Sequence, residues 1–146
     1  MPEAELALGF DYGKRRVGIA IGNAIAGTAK PLVTHAHIDG QPDWPRLDTL
    51  VAEWRPDIFV VGLPLNVDGA TQKMTNRARN FADELWGRYR KRAHLVDERY
   101  STIEARERLA AARASGSRGK RLAKGDSDAM AAQVILESWL QGTIHD

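Results

Sequence analysis

The chain contains no cysteine, which excludes a disulfide framework, a thiolate nucleophile and a zinc site built on sulfur. It also lacks any apolar run near the ~18 residues that a membrane-spanning helix needs. Its first six residues hold two glutamates and no basic leader, so neither export nor membrane insertion is expected, and the expected compartment is cytoplasmic. Charge of one sign is scarce as well. A net charge of +2 is too small to imply a polyanionic partner, so such a partner has to be argued from where the charges lie. What remains is an ordinary soluble composition, 43% hydrophobic and 27% charged, in a length that suits one domain over 1–146 and is too short for two.

The opening stretch alternates. Leu6, Leu8 and Phe10 fall on one face of a strand, while Ala7, Gly9 and Asp11 fall on the other, giving one face of small residues. After a turn over Tyr12 to Arg15, Val17, Ile19 and Ile21 alternate with Gly18, Ala20 and Gly22 in a second strand of the same asymmetry. Pro31 to His37 predicts a third strand, completing an antiparallel meander. Asp43 can cap a helix with Leu47, Leu50, Val51 and Trp54 on its apolar stripe, stopped by Pro56. The run from Ile58 to Val61 does not alternate, as expected of a parallel strand covered on both faces. A second helix carries Ala78, Phe81, Ala82, Leu85 and Tyr89 on one side, and a strand from Ala93 to Asp97 follows. Ser101 and Glu104 read as the capping box of a third helix ending near Ala112. The last helix is predicted from Asp126 or Ser127 to Gly142, with Ala132, Ile135, Leu136 and Trp139 inward. Three antiparallel strands, two parallel ones and flanking helices make a mixed five-stranded α/β sheet in the RNase H-like order.

Three carboxylates stand out. Asp11 lies on the small-residue face of a strand, neighboured by Gly18 or Ala20, where a lone charge must be paired, neutralised or bound to a cation. The plainer reading has it capping the following turn, with Lys14 or Arg16 as partner. Counting back along the last helix places Asp128 on the sheet-facing stripe. As an acidic residue in a first helical turn it is also the ordinary dipole-favoured choice. Glu98 directly follows a buried strand, at the end where sites gather in open α/β sheets, or else is a surface residue paired with Arg99. Together they form the oxygen-only donor set that Mg2+ or Mn2+ prefers, and two such ions ~4 Å apart suit in-line displacement at phosphorus. One geometric difficulty stands. With the Ile58 strand between them, the strands bearing Glu98 and Asp11 lie roughly 9.6 Å apart. The spacing from Asp11 through Gly13 to Gly18 is also similar to the phosphate loop of actin-like and Hsp70-like ATPases, but those clamp a nucleotide between two such domains and this chain has room for one.

Four ordered segments, FDYGKRRVG over 10–18, VVGLPLNVDG over 60–69, DERYST over 97–102 and DAMAA over 128–132, resemble the YqgF (RuvX) family over nearly the whole chain. The resemblance implies an RNase H-like fold related to the RuvC resolvases. It further implies a nuclease that processes the 5′ end of pre-16S ribosomal RNA in ribosome biogenesis, or one that resolves Holliday junctions. By motif it makes Asp11, Glu98 and Asp128 the acidic triad and sets Lys14, Arg15, Asn66 and Arg99 toward the substrate. Two departures matter: Ser127 stands between two aspartates where the family places an apolar residue, which keeps Asp126 open as a ligand, and the segment 70–73, ATQK, differs from the commoner small-acidic version.

Between the third helix and the fourth, Arg113, Arg118, Lys120, Arg121 and Lys124 come without an acidic residue, a mobile basic loop over about 113–125 next to the acidic cluster. Five phosphate contacts would give a log-log salt slope of roughly 4 on a duplex. Tyr12 and Tyr100 could stack on unpaired bases or simply pack. The expected partner is nucleic acid, with pre-rRNA favoured over branched DNA and ribosomal precursor particles as a further candidate. The chain is expected to act as a monomer or, for junction resolution, a two-fold homodimer. A noncatalytic nucleic-acid-binding factor on the same fold is the reading from a different class.

Overall fold

The computed structural model describes residues 5–64, 73–98, 103–118 and 124–142. Its elements in chain order are β1 (Leu6–Tyr12), β2 (Arg16–Asn23), β3 (Thr28–Ala36), α1 (Trp44–Trp54), β4 (Ile58–Leu63), α2 (Lys73–Tyr89), β5 (Ala93–Asp97), α3 (Ile103–Arg118) and α4 (Lys124–Gly142). The strands form one sheet in the order β3-β2-β1-β4-β5. The first three pair antiparallel, while β4 runs parallel to β1 and β5 parallel to β4. The mixed sheet expected from the alternation is therefore present. The β2–β3 ladder shifts register between Ile19 and Ala20, where Pro31 stands opposite Ala20. A proline donates no hydrogen bond and is tolerated on an edge strand at such an irregularity.

The two faces divide as the alternation predicts. Leu8, Phe10, Val17, Ile19, Ile21, Phe59 and Val61 point into a core shared with α1 and α2. Ala7, Ala20, Ile58 and Val60 point into a second core with Leu109 and Ala112 of α3 and Ala131, Ala132, Ile135, Leu136 and Leu140 of α4. Helix α1 starts at Asp43, whose side chain accepts from the Arg46 N–H at 3.3 Å, and it buries Leu47 and Val51. It stops at Arg55, which takes a left-handed φ of 48°. The residue before a proline is driven out of the right-handed helical region, and Pro56 enforces that here. On α2 the predicted stripe is buried through Ala78, Phe81, Ala82 and Leu85, with Thr75 added. The Thr75 hydroxyl donates to the Pro64 carbonyl and ties the start of α2 to the end of β4.

The third strand starts three residues early, at Thr28, and β4 runs on to Leu63, and two helix boundaries differ from expectation as well. Helix α3 continues to Arg118, so Arg113 to Arg118 belong to a helix instead of the expected loop. Ala111, Ala112 and Ala114 are strong helix formers, and the single Gly116 costs only about 1 kcal/mol in a helix. Helix α4 begins at Lys124, about half a turn ahead of Asp126. The buried Ser127 explains why packing extends it, since its hydroxyl donates to the Ala112 carbonyl and seats α4 on α3. Among the described residues no helix is long and apolar enough to cross a membrane.

Candidate active site

A single row across the sheet organises the site. Asp11 on β1 stands directly opposite Gly18 on β2. In the parallel ladder Phe10 is matched to Val61, so the next step sets Asp11 beside Gly62, which in turn is matched to Val96 on β5. Asp11 is thus flanked on both neighbouring strands by residues without a side chain, on the face that α4 covers.

Each glycine makes room for one further acidic residue. A Cβ on Gly18 would lie 2.0 Å from the backbone carbonyl oxygen of Asp128 and 2.9 Å from the N of Ala129, so α4 rests its main chain on the sheet at this point and delivers Asp128 there. A Cβ on Gly62 would lie 2.8 Å from Glu98 Oε2 and 2.7 Å from Ile135 Cδ1. Glu98, two residues beyond Val96, therefore folds its carboxylate over β4, and its Oε2 is shut away from solvent. The gap of two strand spacings closes by this means. The Glu98 oxygen stands over the strand next to Asp11, one spacing of about 4.8 Å away.

Asp128 departs from the dipole reading. With α4 starting at Lys124, Asp128 sits past the first turn, where the helix dipole has already faded. Its Oδ2 instead accepts from Arg16 Nε at 2.5 Å, with the two side chains 26% and 33% exposed. Arg16 is thus the partner of Asp128, from the start of β2, where the sequence had offered it to Asp11. Among the described residues no group of three or more His, Cys, Asp or Glu side chains is placed to hold a metal ion. The donor chemistry of Asp11, Glu98 and Asp128 fits a hard divalent cation, and Asp128 carries an ion pair to Arg16.

The turn after Asp11 is pinned from behind. Gly13 N–H donates to the Arg16 carbonyl at 2.8 Å, and His37 N–H donates to the Arg15 carbonyl at 2.8 Å. The His37 ring bonds the Gly13 carbonyl through Nε2 at 2.9 Å. Lys14 and Arg15 are left exposed at this turn, beside the Asp11 end of β1. Tyr12 does not offer a stacking face: Phe81 stacks on it at 4.7 Å and His37 lies tilted at 4.9 Å. Burial, then Glu84, pushes its phenol above the usual range, so it stays neutral. A cavity of about 710 Å³ lined by Tyr12, Lys14, Gln41, Arg77, Asn80 and Glu84 opens on the α2 side. That is the opposite face from the carboxylates, and its lining mixes both signs of charge.

Asn66, Arg99, Tyr100, Lys120 and Arg121 lie outside the described residues, as does the Ser101 end of the predicted capping box. Arg113, Arg118 and Lys124 have described backbones, on α3 and α4. The sequence did not single out Gly62 or His37, and it offered Arg16 only as a partner for Asp11. The signal at Gly62 was available, because a glycine inside a buried central strand marks a close approach of another group.

Comparison with known proteins bears on the whole chain. A family model described as "RuvX: Holliday junction resolvase" matches residues 5–142. A protein of Azotobacter vinelandii named "Putative pre-16S rRNA nuclease" is 47% identical over 141 residues, covering 96% of each chain. One of Pectobacterium carotovorum with the same name is 48% identical over 136 residues, covering 92% of this chain and 94% of its own. Among solved structures, T. thermophilus RuvC in complex with Holliday junction substrate aligns with a TM-score of 0.52 at 16% identity over 95% of this chain and 97% of that one. The fowlpox virus Holliday junction resolvase aligns with a TM-score of 0.56 at 12% identity, over 93% of this chain and 98% of its own. At those identities the structural likeness speaks for a RuvC-like fold alone.

Proposed function

The chain belongs to the RuvX family, and from that membership we propose that it is a cytoplasmic nuclease hydrolysing phosphodiesters of structured nucleic acid, with the 5′ end of pre-16S ribosomal RNA as its substrate. The observation that carries the reading is the row on which Asp11 stands between Gly18 and Gly62, with Asp128 delivered over the first glycine and Glu98 over the second. Three carboxylates gathered on one sheet face would repel a phosphate unless a cation stood between them.

Asp11, Glu98 and Asp128 would hold Mg2+ or Mn2+, which when bound supplies positive charge for both the attacking and the leaving oxygen at phosphorus. The reaction is hydrolysis: the oxygen of a water bonds to phosphorus and gives up a proton to solvent as the bond to the departing ribose oxygen breaks, and that oxygen takes up a proton from solvent. The protein's own part is positioning. The seat of α4 on Gly18 fixes Asp128 relative to Asp11, and the contact over Gly62 fixes Glu98. Lys14 and Arg15, exposed on the turn pinned by His37, supply positive charge beside the Asp11 end of β1 for the phosphates of the strand. Asn66, Arg99 and the basic residues Arg113, Arg118, Lys120, Arg121 and Lys124 extend this contact along the substrate.

The test is cleavage of a pre-16S precursor with Mg2+ by the wild type and by Asp11→Asn, both at verified fold. Loss of about 10²–10³-fold in rate is expected, by analogy with removal of other groups that stabilise transition-state charge. Equal cleavage by the mutant would remove the triad from the chemistry, and binding without turnover in either protein would leave a noncatalytic nucleic-acid-binding factor. The description of the family as a Holliday junction resolvase supports a second reading, DNA junction cleavage by a homodimer. A four-way DNA junction cut faster than the RNA precursor would favour it.

A further inference from the structure

Arg16 and Asp128 are both held by their backbones. Arg16 pairs with Ala36 across the β2–β3 ladder, and its carbonyl accepts from Gly13. Asp128 rests its carbonyl on Gly18, two residues along β2 on the same face. With Arg16 held in the β2–β3 ladder and Asp128 seated on Gly18, the readiest freedom left to this pair is in the two side chains. Their contact at 2.5 Å is partly exposed, and a partly solvated ion pair is weak enough to exchange. The guanidinium therefore occupies Oδ2, one of the two oxygens with which Asp128 could ligate a cation at the row.

We propose that Arg16 is a positioning residue that competes with the divalent cation for Asp128: it neutralises that carboxylate in the metal-free protein and is displaced from it when the cation binds. The inference rests on the reading of Asp11, Glu98 and Asp128 as cation ligands. It has a functional consequence. The displaced guanidinium keeps its fork of donors beside the site, where a phosphate would arrive, so cation binding frees an arginine that can grip the substrate. By reciprocity, substrate that engages Arg16 tightens the cation.

The experiment is Mn2+ titration of the full chain, followed by the electron paramagnetic resonance of free ion, for wild type, Arg16→Gln, Lys14→Gln and Asp11→Asn. Competition predicts that Arg16→Gln binds Mn2+ about three- to tenfold tighter, the range in which an exposed ion pair and one decade of affinity meet. Lys14→Gln, which removes the same charge from the exposed turn nearby, shifts it far less. Thermal melting gives a second readout. Arg16→Gln melts below wild type in EDTA, and the difference shrinks at saturating Mn2+, because the cation then does for Asp128 what the arginine did. A merely structural role would lower both melts alike. If Arg16→Gln fails to fold, Arg16→Lys keeps the charge with a different reach and should bind Mn2+ between the two. Unchanged or weaker Mn2+ binding in the Arg16 variants, or equal tightening in Lys14→Gln, overturns the competition while leaving the cation site intact. Wild type and Asp11→Asn that bind Mn2+ alike would instead overturn the cation site itself, and the competition with it.

Discussion

Under α1 and α2 the sheet shows its large side chains. Phe10 meets Phe81 edge-on at 5.1 Å and Phe59 at 5.9 Å, and Trp44 stacks on Phe81 at 5.9 Å. Under α4 the same strands show Ala7, Gly9, Gly18 and Ala20, and a Cβ on Gly9 would lie only 2.7 Å from that of Leu136. The first face gains its cohesion from aromatic area, at the usual distance that bulky side chains impose between a helix and a sheet. The second gives up side-chain area and gains proximity, because helix main chain can then touch strand main chain. A carboxylate carried on that helix is held with little play, and the positions left empty by glycine are where the other two acidic groups can gather. One sheet thus separates the task of staying folded from the task of holding charge.

The largest effect that would sharpen this contrast is expected from Phe10→Ala, which should lose about 3–5 kcal/mol of stability in urea denaturation. The folded fraction should keep wild-type Mn2+ affinity, and a loss of affinity in step with stability would break the division between the faces. Gly18→Ala comes next. Its methyl meets a backbone carbonyl instead of a pliable side chain, so about 3 kcal/mol is expected, together with loss of cleavage because Asp128 moves with α4. Full activity in a well-folded Gly18→Ala protein would show that the close seat is unnecessary. Gly62→Ala should cost less stability, about 1–2 kcal/mol, since the Glu98 and Ile135 side chains can yield. Displacing Glu98 should still slow cleavage of the precursor more than about tenfold, which corresponds to ~1.4 kcal/mol in the barrier.

The smallest effect lies on the surface of the cohesive face. Hydrogen bonds from Arg88 and then Tyr89 hold the Asp48 carboxyl down from 3.8 to about 2. A depressed carboxylate adds stability above its unfolded pKa, and that contribution fades as pH falls from about 4 toward 2. Asp48→Asn should therefore flatten the acid limb of the stability curve in that window. With both groups exposed, the loss near neutrality should stay under about 1 kcal/mol, and thermal melting between pH 2 and 7 measures it. A larger loss at pH 7 would mean that the aromatic face leans on its charged rim.

Much of this architecture could be read from local pattern. Period-two alternation gave β1 and β2 and their unequal faces, and the stripe through Ala78, Phe81, Ala82 and Leu85 gave the buried side of α2. The stripe on α4 also placed Asp128 toward the sheet. The ends of α3 and α4 were less legible. Glycine and a run of basic residues signal a loop locally, whereas the anchoring of Ser127 to Ala112 is a contact between distant parts of the chain. The exchange of Arg16 from Asp11 to Asp128 is of the same kind, since these residues are separated by 112 positions.

The sequence by itself determined which residues alternate, which positions lack a side chain and which acidic groups sit at strand and helix ends, because those depend on the two- and 3.6-residue periods of the backbone. Only the tertiary structure decided that Gly18 and Gly62 flank Asp11 in one row, that Glu98 bends over the intervening strand, and that Arg16 holds Asp128. Register between strands and the height of a helix above a sheet are set by packing across the whole fold, and no local stretch of chain contains that information.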